Sequence, residues 1–355
     1  MKDAVAIAQV GPDPAGRGGM AAVTRGLLSS SLRERYRMTA IVTYRAGSAG
    51  KGIPVFAAGL VRLTAWSLTN RTGIVHVHSA VRGSAYRKAI VVGVARLLGM
   101  RVILQVHAGP GDIDDFVEKL RSHPFTLRVL RTAFAKATRV VTVSKEGAAA
   151  LKRDLYRGDA TVVPNAAPEV EWQPPSAVGP CVVLYLGGFD DPAKGGAVLL
   201  RALPTLLAGQ RDLRLVLAGP GEAPPAAAAL EGDRVHFSGW LDADAKGDAF
   251  RGASIVVLPS ISEGMPIALL EAMAHGRAIV ASSVGGMPDM LVDGEEALLV
   301  PPGDELQLAD AIARLAESPS LREALGTAAR ARVARVGEPH VNATIDKLYT
   351  EVAAT

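Results

Sequence analysis

The sequence has one cysteine, Cys181, in 355 residues. No internal disulfide can form, and a reducing, cytoplasmic compartment fits that usage. No cysteine–histidine cluster has zinc-ligand spacing, and no metal site is expected. Aromatic residues make up only 5%, a compositional habit that carries no functional message. No stretch approaches the roughly 18 apolar residues of a membrane-spanning helix. The apolar run that ends in Gly11-Pro12 is shorter than a signal-peptide core and is expected to be a first strand. A lysine motif for pyridoxal phosphate and the strained serine turn of a hydrolase are also missing.

Apolar residues at 49% and charged residues at 21% describe a folded chain. Its length exceeds one compact core and suits two domains. Short apolar runs alternate with longer amphipathic segments, the pattern of βαβ units and parallel sheets. Strands are expected at 4–10, 38–43, 74–77, 101–106, 139–143 and 161–163, and again at 181–187, 213–218, 234–237, 254–258, 278–281 and 297–300. Helices fall between them, among them 19–33, 83–98, 115–135, 195–208, 266–275 and 305–317. A proline-rich seam runs from Pro164 to Ser176. The expected fold is α/β, two Rossmann-like doubly wound domains facing across a cleft, spanning 1–168 and 176–337. Ligands of such sheets bind at the carboxyl ends of the strands.

The net charge of +4 conceals +14 in residues 1–170 and −10 in residues 171–355. Either one half meets something anionic or the halves attract each other. Within the basic half, Phe116–Arg139 interleaves apolar residues with Lys119, Arg121, Arg128, Arg131, Lys136 and Arg139, broken at His123-Pro124. This reads as a basic amphipathic helix pair for an anionic membrane surface, or as ordinary surface helices with their apolar face in the core.

The most informative stretch is Leu258–Gly276. A strand ends at Leu258, a turn follows, and Pro266 suits the first position of a helix. Gly264 lets a ligand approach the backbone, and free N–H groups at the helix start can cradle a diphosphate. Glu263 precedes the helix. Glu271 lies within the apolar run Ile267–Met273, where a lone acid is costly to bury without a partner. One carboxylate could accept hydrogen bonds from a sugar ring and the other from a ribose diol. Acidic residues also favour helix starts, which is the ordinary account of Glu263.

This segment resembles the Glu-x7-Glu signature of the family-4 glycosyltransferases, which have the GT-B fold. The rest of the chain follows the family's order. Gly18-Gly19 resembles its N-terminal glycine loop, Val75–Ser79 its "DVVHVHS" strand, and Gln105–Gly109 its "TxHG" loop. Thr142–Lys145 and Val162–Asn165 are similar to "TVSK" and "VIPNG", and Gly285–Asp289 and Asp293-Gly294 match "GGIPE" and "DGxxG" in part. The resemblance implies a retaining transfer of a sugar from a nucleotide-sugar donor, UDP- or GDP-linked, to a hydroxyl acceptor, without metal or cofactor. The departing diphosphate oxygen would deprotonate the acceptor. Lys194 would neutralise the diphosphate. Glu263, with the backbone of Gly264, Met265 and Pro266, would hold the sugar, and Glu271 the ribose. His107 would sit at the reaction centre, and Gly18 and Gly19 would close over the phosphates. The first domain would bind acceptor, with a C-terminal helix at about 338–355 packing back on it, and the second would bind donor. The acceptor is expected to be a lipid or lipid-linked glycan at the inner face of a membrane, or alternatively a small soluble molecule; no nucleic-acid partner is expected. A non-catalytic nucleotide-sugar-binding protein is the remaining alternative.

The chain departs from the pattern at Gly188, where the family's "GRLxxxKG" has arginine. Asp190 and Asp191 follow, and Arg17 of the glycine loop is a candidate replacement for the charge. Asp112-x-Asp114 and Asp242-x-Asp244 have the form of a metal-binding aspartate pair but suit solvated loops. His76 and His78 alternate on a strand expected to be buried, one as a core histidine and the other facing the cleft. His275 and His340 are expected at the surface or at helix ends.

Overall fold

The computed structural model describes residues 4–45, 52–174, 179–210, 212–222, 224–228, 230 and 232–355. Pro175 and Ser176 of the expected seam lie outside the described residues. The chain forms two compact units, one of Met1–Ala166 with Glu338–Thr355, the other of Ala167–Gly337.

The first unit carries six strands, β1 (Ala6–Pro12), β2 (Arg37–Tyr44), β3 (Ile74–Ser79), β4 (Arg101–Val106), β5 (Arg139–Thr142) and β6 (Thr161–Val162). The second carries β7 (Cys181–Tyr185), β8 (Leu213–Ala218), β9 (Val235–Gly239), β10 (Ile255–Leu258), β11 (Ala278–Ser282) and β12 (Leu298–Val300). Every expected strand is present, because central parallel strands are covered on both faces and read as near-continuous apolar runs. All pairings are parallel, in the orders β2-β1-β3-β4-β5-β6 and β12-β11-β10-β7-β8-β9. Strand order reverses at β1/β3 in the first sheet and at β7/β10 in the second. These are the points where open α/β sheets leave room for a ligand at their carboxyl ends.

One open reading of the helices is decided and one expectation changes. The segment Phe116–Arg139 lies on the helices Pro110–Arg121 and Pro124–Lys136, broken before Pro124 as expected and ending at the start of β5, and of its two readings the core one holds. Phe116, Val117, Leu120, Leu127, Leu130 and Phe134 are buried in the core of the first unit, so the apolar face is spent inside. Of its large apolar side chains, Phe125 and Val129 are exposed. The correction concerns Gly52–Thr69, an 18-residue helix of mean hydropathy 1.2 that is long and apolar enough to cross a membrane, where none was expected. Arg62 is its one charged residue. The helix lies on β2 through Gly59, where an added Cβ would sit 2.6 Å from the Val42 carbonyl oxygen, and through Leu63 and Ser67. Its other face leaves Ile53, Val61 and Leu68 exposed.

The C-terminal helix Glu338–Ala353 belongs to the first unit. It buries Val341, Ile345, Leu348, Tyr349 and Val352, and Asp346 pairs with Arg35 and accepts from the Tyr36 hydroxyl at 2.7 Å.

Candidate active site

In the second unit, the carboxyl ends of β7 and β10 meet through backbone contacts that only glycine permits. After β7, a short turn at Pro192–Lys194 is capped by Asp191, whose Oδ1 accepts from the Ala193 N–H at 3.0 Å. The Ile261 N–H donates to the Ala193 carbonyl at 2.8 Å. Gly195 has φ +71°, and a Cβ there would lie 1.8 Å from the Pro259 carbonyl oxygen. The turn carrying Lys194 is thereby pressed against the loop carrying Glu263. Lys194 Nζ lies 2.7 Å from Glu263 Oε1, and Ser260 Oγ donates to the same oxygen at 3.2 Å.

A third loop closes on the other side. Gly285 has φ +59°, and a Cβ there would lie 1.8 Å from the Glu263 carbonyl oxygen; the Gly286 N–H donates to the Gly264 carbonyl at 2.6 Å. Met265 is buried. Pro266 is not the first helical residue, as expected, but the residue before it, extended at φ −69° and ψ 132°. The helix Ile267–Ala274 begins with no side-chain cap among the described residues, and of its first-turn N–H groups Leu269 donates to the Pro266 carbonyl at 3.2 Å; such a helix start suits an anion.

Glu271 is that helix's one ionisable residue. Burial pushes its carboxyl above the usual range, and an ion pair with Lys246 Nζ opposes the shift. Lys246, on the helix Ala243–Gly252, escaped the sequence analysis because nothing local marks it: its partner is 25 residues away in another element. Both carboxylates of the Glu-x7-Glu pair thus hold a lysine of their own unit.

The structure also accounts for the departure at Gly188. Its φ is +70°, and a Cβ would lie 2.4 Å from the Pro220 carbonyl oxygen. Tyr185 donates its hydroxyl hydrogen to the Gly188 carbonyl at 2.7 Å. No arginine fits this backbone.

In the first unit, Gly18 precedes the helix Gly19–Ser29 at φ +102°, with open space where a Cβ would be. Gly18, Gly19 and Arg17 are all exposed. His76 and His78 share one face of β3, and both are buried, as expected of that strand. Their rings stack at 4.5 Å. His107, just beyond β4, is half-buried with Nε2 at 3.0 Å from His78 Nδ1. Burial, with His76 nearby, pushes the His107 pKa down to about 3, so its imidazole is neutral at physiological pH.

The remaining candidates resolve as ordinary structure. Asp114 forms an ion pair with Arg153, and Asp242 caps the helix Ala243–Gly252. His275 does end a helix but is buried and stacked on Phe250, not surface-exposed, while His340 is exposed. Among the described residues no group of three or more His, Cys, Asp or Glu could hold a metal ion.

Residues 23–168 match the family described as Glycosyltransferase Family 4, and residues 180–318 match Glycosyl transferases group 1. A phosphatidyl-myo-inositol mannosyltransferase of Mycobacterium leprae is 36% identical over 176 residues, 49% of this chain and 47% of the relative. A D-inositol 3-phosphate glycosyltransferase of Kribbella flavida is 36% identical over 162 residues, 42% of this chain and 38% of the relative. The aligned region spans about half the length of the first of these curated relatives and less of the second. Sucrose-phosphate synthase of Thermosynechococcus elongatus superposes with a TM-score of 0.79 at 21% identity, covering 99% of each chain. Anabaena HepE in complex with UDP-glucose superposes at 0.73 and 15% identity, covering 98% of this chain and 99% of that one. Identities this low speak to fold alone. The two family matches lie on the two six-stranded parallel units, and the chain belongs to the family-4 glycosyltransferases of the GT-B fold.

Proposed function

We propose that this chain transfers a sugar from a nucleoside diphosphate sugar to a hydroxyl acceptor with retention of anomeric configuration and without a metal ion. The observation that carries the reading is the pairing of Glu263 with Lys194 and of Glu271 with Lys246 around an uncapped helix start in the second unit. On binding, the diphosphate takes the helix N-terminus and Lys194. The sugar hydroxyls take Glu263 with the backbone of Gly264, Met265 and Pro266, and the ribose takes Glu271 in place of Lys246. Gly18 and Gly19 serve the phosphates and His107 the transferred sugar, as the family pattern implies. The departing phosphate oxygen receives the acceptor's proton, so the protein's task is orientation and electrostatic stabilisation. Calorimetric titration with UDP and GDP in the presence of EDTA tests this. One nucleotide should bind, and Glu271→Ala should weaken it by about 1.5–3 kcal/mol, the range for a hydrogen bond to a charged group. An unchanged affinity in the folded variant, or binding only when magnesium or manganese is restored, would overturn the reading.

The acceptor is proposed to be presented at an anionic membrane surface, where the protein acts peripherally. One relative is named for the lipid phosphatidyl-myo-inositol, and another for D-inositol 3-phosphate, which suits the alternative of a small soluble acceptor. Between Glu34 and Asp112 the sequence has no acidic residue, and this stretch includes the helix Gly52–Thr69, with Ile53 83%, Val61 69% and Leu68 59% exposed. Each Lys or Arg near such a surface contributes about 1 kcal/mol, screened by salt. Sedimentation at low salt should bring the protein down with anionic vesicles and not with neutral ones. Replacing Ile53, Val61 and Leu68 by serine should release it without unfolding, since these side chains are exposed. Binding to neither vesicle would favour a small soluble acceptor.

A further inference from the structure

The first unit holds a chain of hydrogen bonds that ends at His107 and whose other members the chemistry above does not use. Gln105 Oε1 is 2.9 Å from His76 Nε2, and His76 Nδ1 is 2.8 Å from the Tyr349 hydroxyl. Gln9 Nε2 donates to that hydroxyl at 2.8 Å, and Gln9 Oε1 is 2.8 Å from His78 Nε2. His78 Nδ1 then meets His107 Nε2 at 3.0 Å. The chain joins β1, β3, β4 and the C-terminal helix.

Each link needs one donor and one acceptor, so the protons can be placed in order. An amide oxygen only accepts, so His76 carries its hydrogen on Nε2. Burial holds His76 neutral, with its pKa down to about 4, so Nδ1 accepts and the Tyr349 hydroxyl donates to it. The Tyr349 oxygen accepts from Gln9, whose own oxygen accepts from His78 Nε2–H. The neutral His78 accepts on Nδ1, so His107 donates its Nε2–H, and His107 Nδ1 remains an acceptor. The reverse sense closes only if both amides turn and every proton moves. Tyr349, as donor and acceptor at once, ties the orientation of Gln9 to that of Gln105 and makes the choice collective.

We infer that Tyr349 is a positioning residue for His107: through Gln9 and His78 it holds the imidazole as the Nε2–H tautomer, with Nδ1 turned into the acceptor for a hydroxyl of the transferred sugar. The link to the sugar rests on the proposed role of His107; the tautomer does not. In Tyr349→Phe the Gln9 amide turns freely, and His78 and His107 populate both tautomers.

Long-range 1H–15N spectra of histidine-labelled protein at neutral pH test this, with the His107 signals assigned through His107→Gln. Wild type should show His107 as a single Nε2–H tautomer, and Tyr349→Phe should show averaged tautomers. Gln9→Leu, which cuts the same chain at another link, should do the same and stands in if Tyr349→Phe does not fold. A wild-type Nδ1–H tautomer, or an unmoved His107 signal in both variants, overturns the inference. The spectrum needs no substrate, so its outcome is independent of whether the chain binds nucleotide. Hydrolysis of UDP-glucose and GDP-mannose, measured in parallel, should fall roughly three- to tenfold in Tyr349→Phe, the scale of one hydrogen bond, with affinity for the free nucleoside diphosphate unchanged. Averaged tautomers with unchanged hydrolysis would overturn the link to the sugar.

Discussion

Gly285→Ala is expected to destabilise the second unit by on the order of 2–4 kcal/mol and to weaken nucleoside diphosphate binding by more than tenfold. Two effects add. A side chain at φ +59° is strained, which alone costs about 1–2 kcal/mol. The new methyl would also lie 1.8 Å from the Glu263 carbonyl oxygen, a backbone atom that cannot step aside without moving the loop that carries Glu263. The Gly286 N–H to Gly264 carbonyl bond, at 2.6 Å, would be displaced with it. Gly294 provides the control: its φ is +76°, but nothing lies within 4 Å of an added Cβ. Gly294→Ala should therefore carry the strain alone and leave nucleotide affinity intact. Urea unfolding and calorimetry on the two variants make the comparison. Equal losses of stability in both, with binding preserved in both, would show that the Gly285 contact does not shape the site.

Acidification should cost the first unit several kcal/mol of stability between pH 6.5 and pH 4. His76, His78 and His107 are held neutral by burial, His76 with a pKa of about 4 and His107 of about 3, while His78 is pushed well below its usual value. The sign follows from proton counting. Below pH 6.5 the unfolded chain binds protons that the folded chain refuses, so stability falls as pH falls and recovers as pH rises. The loss for each histidine ends only when its folded pKa is reached. At pH 5 it amounts to roughly 2 kcal/mol per histidine. Lys88, which burial pushes down to about 7, titrates in the folded state at the top of this range and is fully protonated further down, so the histidine slope is read below pH 6. Urea unfolding from pH 6 to pH 5, followed through exchange of the β3 amides, should give a pH slope that drops by about one proton in His76→Gln. An identical slope in that variant would mean that His76 is already charged in the folded state.

The sequence was most informative where structure is local. All twelve strands could be read, the central ones most plainly, because a parallel strand covered on both faces is a continuous apolar run, as in Ile255–Leu258. The break at His123-Pro124 was legible because proline cannot continue a preceding helix. The glutamate pair stood out because Glu271 interrupts an otherwise apolar helix. Where the reading stayed open or went astray, the deciding partner was distant. The apolar positions of Phe116–Arg139 suit a membrane and a protein core equally, and only the cluster around Phe116, Leu130 and Phe134 shows that the core took them. The exposed face of Gly52–Thr69 is not legible in the sequence because Arg62 and the small or polar buried positions Gly59 and Ser67 dilute its apolar signal.

By itself, then, the sequence determined two βαβ series, their parallel sheets, the loop after β10 and the two acids that flank its helix start, since each depends on neighbours a few residues apart. Tertiary structure alone decided the partners of those acids. Lys194 is 69 residues from Glu263 and Lys246 is 25 from Glu271. It also decided that Gly188 excludes a side chain, because the obstruction is the backbone of Pro220 on another strand's loop. And it decided the proton positions on His107, which are set by a chain of hydrogen bonds reaching Tyr349, 340 residues from Gln9. Periodicity records which face of an element is apolar; it carries no record of which distant polar group will satisfy a buried one.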